Sequence, residues 1–541
     1  MDPISASCYS LHIEDNTRGN DKNHPEDQFS EVIVSCKSLS GYESQNFKSL
    51  IPQIIATAIS ASGHIVVGIS LAFSAILIPQ LEDANSDLHV TESESSWIAS
   101  IIVIVVPIGA IAGGFIMDSI GRLNTIKLST VPVCVGWVLI AMAENVTMLL
   151  VGRILTGFAA AWGTSPAIVY ITEIARADMR GSLISCGPTY ASLGMVLLFL
   201  KGWFLNWRTV AWLCNIYTVV PAILIMFIPE SPVWLVSKGR VDQAKKAIEW
   251  LNKYQPALAG EKQTFSEMQL EYLVREKRQK DAENVGGGSA ARKFKAFFQP
   301  TGYKPMLVLI GLFFFQQFSG IYITLFYSVN FFLDMGSTIN AYFSSVLIGV
   351  VRFLMSMVNT YLLKRYHRRP LTMISCAGIA LCMGVSGLFT YWINNGESTQ
   401  TWVPVVLLLM YVLTSMIGLL PIPWTMTAEL FPLEIRGIAH SISYSLANIL
   451  MFFSLQMYRP LKSIMGGSHG IQWFFAGVAI VGMLYIFVFL PETHGKKLSQ
   501  IQEYFKYNTM YLAEKKAPTK RKITRKDKSV EPKQGKILIE A

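Results

Sequence analysis

The sequence predicts an all-α membrane protein of twelve transmembrane helices in two sets of six. Three observations predict it. Of 541 residues, 52% are hydrophobic and 15% charged, against about a quarter charged in a soluble domain. The apolar residues gather in runs of about 20, long enough to cross a bilayer. The second half also echoes the first. Glu173 and Arg180 are seven positions apart, as are Glu429 and Arg436 (180 − 173 = 436 − 429), and Pro229-Glu230-Ser231 is matched by Pro491-Glu492-Thr493.

Residues 1–50 are polar, without a positive-then-apolar leader, and read as a disordered tail. Apolar runs follow at about 52–78, 96–117, 125–143, 147–171, 183–203 and 209–228, within a first bundle at 51–231. A polar linker occupies 232–302. In it, Val241, Ala244, Ala247, Ile248 and Leu251 recur at helical spacing, giving a helix over 241–253, and 266–280 gives a second. Gly286-Gly287-Gly288-Ser289 marks a flexible join, and 291–300 reads as a basic amphipathic element on the inner membrane surface. Runs at about 304–333, 340–363, 370–393, 401–427, 437–458 and 470–490 form the second bundle, 303–490. The closing segment, 491–541, is basic from Lys515 to Lys536, as expected of a solvated tail near anionic lipid.

The net charge of +10 lies between and after the apolar runs, which excludes nucleic acid as the partner and leaves the bilayer. Arg122, Lys127, Arg176, Arg180, Lys364 through Arg369 and Arg436 fall in one set of connections. Glu82, Asp83, Asp87, Glu92 and Glu94 fall in the other, where Lys201, Arg208, Arg459 and Lys462 are the exceptions. The positive side is cytoplasmic, so both termini are expected there. Asn145-Val146-Thr147 is a glycosylation sequon in a very short outer loop. The seven Cys form no CxxC or Cys/His cluster, so neither a disulfide framework nor a metal site is indicated. No nucleophile–base pair, phosphate loop or cofactor motif is visible, so the chain does not read as an enzyme.

Several motifs in order resemble the sugar porters of the major facilitator superfamily. They are Gly114 and Asp118 with Gly121-Arg122, Gly152-Arg153 with Gly157, and Tyr170, Glu173, Arg180 and Gly181 in the first half, closed by PESP at 229–232. The second half has QQFSGI at 316–321, PIPW at 421–424, AELFP at 428–432 with Arg436-Gly437, and PET at 491–493 with Gly495. The text within them is most similar to insect facilitated trehalose transporters. The resemblance implies the major facilitator fold, two six-helix bundles joined by a cytoplasmic helical linker and rocking about a central site. It also implies ion-pair networks among inner helix ends that hold a cytoplasmic gate shut: Asp118, Arg122, Arg153, Glu173, Arg180 and Glu230 in one half, Arg365, Arg368, Glu429, Arg436 and Glu492 in the other.

A sugar calls for amides that donate and accept and for aromatic faces. Gln316, Gln317, Tyr322 and Tyr327 on one span, Trp424 after two prolines, and Asn448 are the candidate substrate contacts. Tyr322 and Pro188 depart from the residues usual in the family. So does Arg352, a further candidate substrate contact that stands where an asparagine is common and whose donors would grip the hydroxyls of a sugar or select an anionic cargo. It lies twelve residues before Lys364 (364 − 352), roughly 18 Å from the helix end at 1.5 Å per residue, so it should face the cavity or a partner.

Facilitated transport of a small saccharide, trehalose or a hexose, is the leading function. A proton-coupled symporter is the nearest rival. The first span holds no Asp or Glu, and His64 is its one titratable group. A non-transporting sugar sensor and a carrier of polyols or organic anions are the other readings.

Overall fold

The computed structural model describes residues 47–84, 86–176, 178–255, 264–284, 295–432, 435–496, 498–508 and 510–511. The expected N-terminal tail before Phe47, the glycine-rich join and the basic stretch after Lys515 lie outside the described residues. Twelve helices are long and apolar enough to cross a membrane. The first six are Phe47–Leu81, Glu92–Ile120, Arg122–Ala141, Val146–Ile174, Arg180–Phe204 and Trp207–Phe227. The second six are Pro300–Phe326, Ala341–Arg365, Arg368–Asn394, Val403–Glu429, Arg436–Ile464 and Ser468–Phe489.

Local chemistry sets several helix starts. Thr91 and Glu94 form a reciprocal capping box at the second span, satisfying two amides that the first turn leaves free. Asn340 opens the eighth span by accepting from the Tyr342 and Phe343 amides. Asn145 opens the fourth by accepting from the Met148 amide at 2.8 Å.

Within the first half the helices pack almost backbone to backbone. A Cβ on Gly68 of the first span would lie 1.8 Å from the Ala191 carbonyl oxygen of the fifth, and one on Gly194 would lie 2.2 Å from that of Ile65. Gly109 of the second span meets the Phe158 carbonyl of the fourth in the same way, at 2.2 Å. Small residues allow such approach where lipid supplies no hydrophobic drive to association.

Between halves, the second span packs on the eleventh, the fifth on the eighth, and the first on the broken end of the seventh. The linker helices Pro232–Ser237, Val241–Leu251 and Phe265–Asn284 lie at one face, where Leu251 joins Ala56 and Tyr170 of the first half in a buried cluster. We call this the linker face. The expected helices at 241–253 and 266–280 are both present, preceded by a short one that starts at Pro232, the last residue of the PESP motif. Only residues 295–300 of the basic amphipathic element are described, and 295–297 are helical. The closing segment holds more structure than its charge suggests: Leu498–Tyr507 is a helix that buries Ile501 and Phe505.

Candidate functional site

Two matched charge clusters mark the linker face. In the first half, Arg122 donates to Glu173 through Nε at 3.1 Å and Nη2 at 2.8 Å, and Ser231 Oγ donates to the same carboxylate. Glu230 caps the third span, accepting from the Leu123 amide at 3.0 Å and the Ser231 amide at 2.9 Å. In the second half, Arg368 donates to Glu429 at 3.1 Å and Thr493 Oγ1 to Glu429 at 2.5 Å. Glu492 caps the ninth span, accepting from the Arg368 and Arg369 amides at 3.0 and 3.1 Å. A carboxylate at a helix N-terminus satisfies free amides and opposes the positive end of the helix dipole. Burial nevertheless raises the Glu230 pKa above its ordinary value, only partly offset by the amides of Ser231, Leu123, Asn124 and Arg122.

The ion pairs Arg122–Glu173 and Arg368–Glu429 each lie within one half, and the other residues expected at the gate are placed differently. Asp118 is mostly exposed and lies 3.6 Å from Arg122. Arg180 and Arg436 occupy equivalent positions, and among the described residues each reaches a main-chain carbonyl five residues back, Ala175 at 3.4 Å and Phe431 at 3.5 Å. Arg365 is exposed and pairs with no carboxylate among the described residues. Arg153 requires a correction. It sits seven residues after Val146 (153 − 146), toward the face opposite the linker, and not at the linker-face helix ends. It is fully buried and donates to the Ile98 carbonyl at 3.2 Å, the Ser70 carbonyl at 2.8 Å and Ser74 Oγ. It therefore ties the first, second and fourth spans together and takes no part in a charge cluster.

Two spans of the second half are broken at mid-depth. The seventh turns at Ser319–Tyr322, where Gly320 has a φ of +85°. A Cβ there would also meet the Phe475 ring at 2.5 Å, so this turn requires glycine. The tenth breaks between Ile417 and Ile422. Gln316 repairs that break, its Nε2 donating to the Leu419 and Leu420 carbonyls at 3.0 and 2.7 Å. Its Oε1 accepts from Gln317 at 3.1 Å. The expected sugar contact at Gln316 is thus corrected to a structural one: freed carbonyls in a membrane interior must find donors. Gln317 is buried with Oε1 unpartnered.

The breaks place Tyr322 and Trp424 on a cavity between the halves. The cavity, of about 190 Å³, is lined from the second half by Tyr322, Trp424, Tyr444 and Asn448, and from the first mainly by small and apolar residues, with Ser70 and Thr164 among them. Trp424 packs on Phe313 and Tyr444, with ring centroids 4.8 and 5.7 Å away. Of the residues expected from sequence to contact substrate, Tyr322, Trp424 and Asn448 line this cavity. Tyr444 was missed, although it lies one turn before Asn448, whose Nδ2 donates to its carbonyl at 2.8 Å. Gln316, Gln317, Tyr327 and Arg352 are not among the lining residues.

Tyr327 is also corrected. It is fully buried and packs on Tyr458 with centroids 4.8 Å apart, near the face opposite the linker. There Glu82 of the first half pairs with Arg459 of the second and accepts from Asn330 at 3.1 Å and Ser95 at 2.9 Å. Gln456 donates to Ser100 at 2.9 Å, and Trp97 packs on Phe452. This end of the cavity is closed by contacts between halves. Arg352 is buried at mid-span, near the hydroxyls of Tyr322 and Tyr411. Asn145 is exposed, with its side-chain oxygen engaged as the helix cap.

The profile of the family described as "Sugar (and other) transporter" matches residues 55–505. The chain is 33% identical over 458 residues to a protein of Culex quinquefasciatus named facilitated trehalose transporter Tret1, covering 84% of this chain and 86% of that one. A protein of the same name from Polypedilum vanderplanki is 32% identical, covering 83% and 87%. The one from Aedes aegypti is 33% identical over 83% of this chain, which spans 54% of its length. Among solved structures, the xylose transporter XylE from E. coli in an inward open conformation superposes with a TM-score of 0.66 at 19% identity, covering 83% of this chain and 98% of that one. The proton:xylose symporter XylE bound to 6-bromo-6-deoxy-D-glucose gives 0.64 at 21%, covering 85% and 100%. Those two likenesses agree with the two-bundle architecture. With twelve spans, a duplicated set of capped charge clusters and a closed-ended cavity between the halves, this chain belongs to the family described as "Sugar (and other) transporter", shares the fold of the transporters it superposes on, and is a multi-pass membrane transporter, not an enzyme.

Proposed function

We propose that the chain carries a small saccharide, trehalose or a hexose, down its gradient by alternating access across the plasma membrane, with the linker face and both termini cytoplasmic. The central cavity carries this reading. Its aromatic wall of Tyr322, Trp424 and Tyr444 suits the CH faces of a sugar ring, and Asn448 and Ser70 suit its hydroxyls. The name shared by the insect relatives supports trehalose as the first cargo to test. Uniport is supported by the surroundings of Arg153, whose acceptors are two carbonyls and a serine. Coupling needs a titratable group inside the bundle, and the first span has no carboxylate.

One observation favours proton coupling as the second reading. His64 Nε2 is buried without a partner, beside a small cavity of about 40 Å³ lined by Ser60, Ser129, Thr164 and Thr218 among others. Uptake of labelled trehalose and glucose by the purified full-length protein in liposomes separates the two. Uniport predicts that a protonophore leaves initial rates unchanged and that internal sugar stops at the external concentration. Accumulation beyond that point, driven by an inward proton gradient, would assign the chain to the symporters. Absence of any sugar uptake would replace transport with sensing.

A further inference from the structure

Two arginines lie deep in the spans, and they differ in one respect. Arg153 is bonded through each of its three nitrogens to a neutral acceptor. Arg352 is 6% exposed, its Nε has no partner, and its guanidinium makes no hydrogen bond or ion pair among the described residues. A structural arginine in a membrane interior is expected to be bonded as Arg153 is, because an uncompensated buried cation is costly.

The position of Arg352 is equally specific. Gly349, three residues earlier, would place a Cβ 3.1 Å from Val196 Cα on the fifth span. Ser356, four residues later, donates to Thr189 of that span at 3.4 Å. Residues spaced i, i+3 and i+7 share one helix face, so Arg352 lies on the seam between the halves. Arg352 also lies within electrostatic reach of Tyr322, which lines the central cavity, and of Tyr411. Tyr411 is committed to the Ser319 carbonyl at 2.9 Å. One turn further toward the linker face, Asn359 is also buried with its Oδ1 unpartnered. Arg352, Ser356 and Asn359 thus form a polar track along the moving seam.

We propose that Arg352 is an anion subsite and that the preferred cargo is a saccharide bearing an acidic group, a sugar carboxylate or sugar phosphate. This rests on the saccharide-transport reading and moves its preferred cargo from a neutral sugar to an acidic one. A neutral sugar can offer the guanidinium only hydroxyl acceptors, as the serine and carbonyls do for Arg153, whereas a carboxylate or phosphate supplies in addition the opposite charge and paired acceptors matching its fork. The aromatic wall of the cavity holds the ring while the anionic group reaches past Tyr322 to Arg352, which stands behind that wall and not on it.

The test is uptake by the full-length protein in liposomes, using labelled glucuronate, glucose 6-phosphate, glucose and trehalose, with wild type, R352N and R352K. Wild type is expected to take up at least one acidic sugar faster than either neutral one. An interior-positive potential set by valinomycin should speed that uptake and not the neutral one. R352N should lower the ratio of acidic to neutral uptake about tenfold or more, and R352K should lower it less. The glucuronate and glucose 6-phosphate arms distinguish a carboxylate from a phosphate. Uptake of neutral sugars alone, with the same profile in wild type and R352N, would overturn the proposal and leave saccharide transport standing. Uptake of none of the four would overturn the transport reading itself. If R352N does not reconstitute, the wild-type preference decides: faster acidic uptake upholds the subsite and its absence overturns it.

Discussion

Glu82 and Arg459 form an ion pair that joins the two halves at the face opposite the linker. Glu82 is also bonded within its own half to Ser95 and across the seam to Asn330, so one carboxylate ties the loop after the first span to the seventh and eleventh. Such a pair exists in one state of an alternating carrier and is lost in the other. E82Q and R459Q should each favour opening at this face, shifting the equilibrium by roughly 1–3 kcal/mol. A cysteine at Met451, which lines the cavity, should then react faster with an impermeant maleimide applied from that side. Labelling at the wild-type rate in both variants would show that the pair does not bias the states.

The clusters at the linker face predict the opposite bias. E173Q and E429Q remove equivalent carboxylates from Arg122 and Arg368. Both should favour opening at the linker face, raising labelling of an introduced cysteine from that side. Reduced transport with unchanged labelling would give these glutamates another role.

Glu230 makes the stability of the first cluster depend on pH. Its pKa in the fold lies above its ordinary value of 4.5 because of burial. A carboxyl raised on folding contributes stability that is fully present below 4.5 and is lost as pH rises through the folded value. The thermal stability of wild type relative to E230Q, measured in detergent, should therefore fall as pH is raised from about 4.5 toward neutrality. A difference that is flat or grows over that window contradicts the burial argument. Since Glu230 accepts from the Leu123 amide at the start of the third span, E230A should in addition cost the fold about 0.5–2 kcal/mol through the lost cap.

Gln316 and Trp424 should separate cleanly. Q316A strips donors from two carbonyls in the tenth-span break, and unsatisfied buried groups cost about 1–3 kcal/mol each. It should lower folded yield and melting temperature. W424A removes an aromatic surface from the cavity wall and should raise the KM for sugar by more than it lowers the melting temperature. The reverse ranking would return Gln316 to the site and make Trp424 a packing residue.

The twelve spans were legible because each is a long apolar run, and the clusters were legible because duplication repeats Glu173 as Glu429 and Glu230 as Glu492. What the carboxylates bond to was not. Glu230 reaches Leu123, 107 residues away in the chain, and an amide at a helix start leaves no mark in the text. Arg153 was grouped with the linker-face charges through its motif, although its distance from Val146 puts it near the other end of the span. Gln316 looked like a ligand for the same reason that it is structural: an amide among apolar residues must bond something, and here the broken tenth span offers bare carbonyls. Tyr327 followed Tyr322 on the same span, but the turn at Gly320 sends it into the seal opposite the linker.

The glycine contacts of the first half bear on how force moves through the molecule. Gly68 and Gly194 bring the backbones of the first and fifth spans within a methyl's width of a clash, and Gly109 does the same for the second and fourth. No soft side-chain layer lies at those points to absorb a small displacement. The bundle is therefore stiff there, and a push delivered at one end is transmitted to the other as rotation of the whole half. Contacts made by cargo at the cavity wall and by the linker helices at the opposite end then act on a single lever.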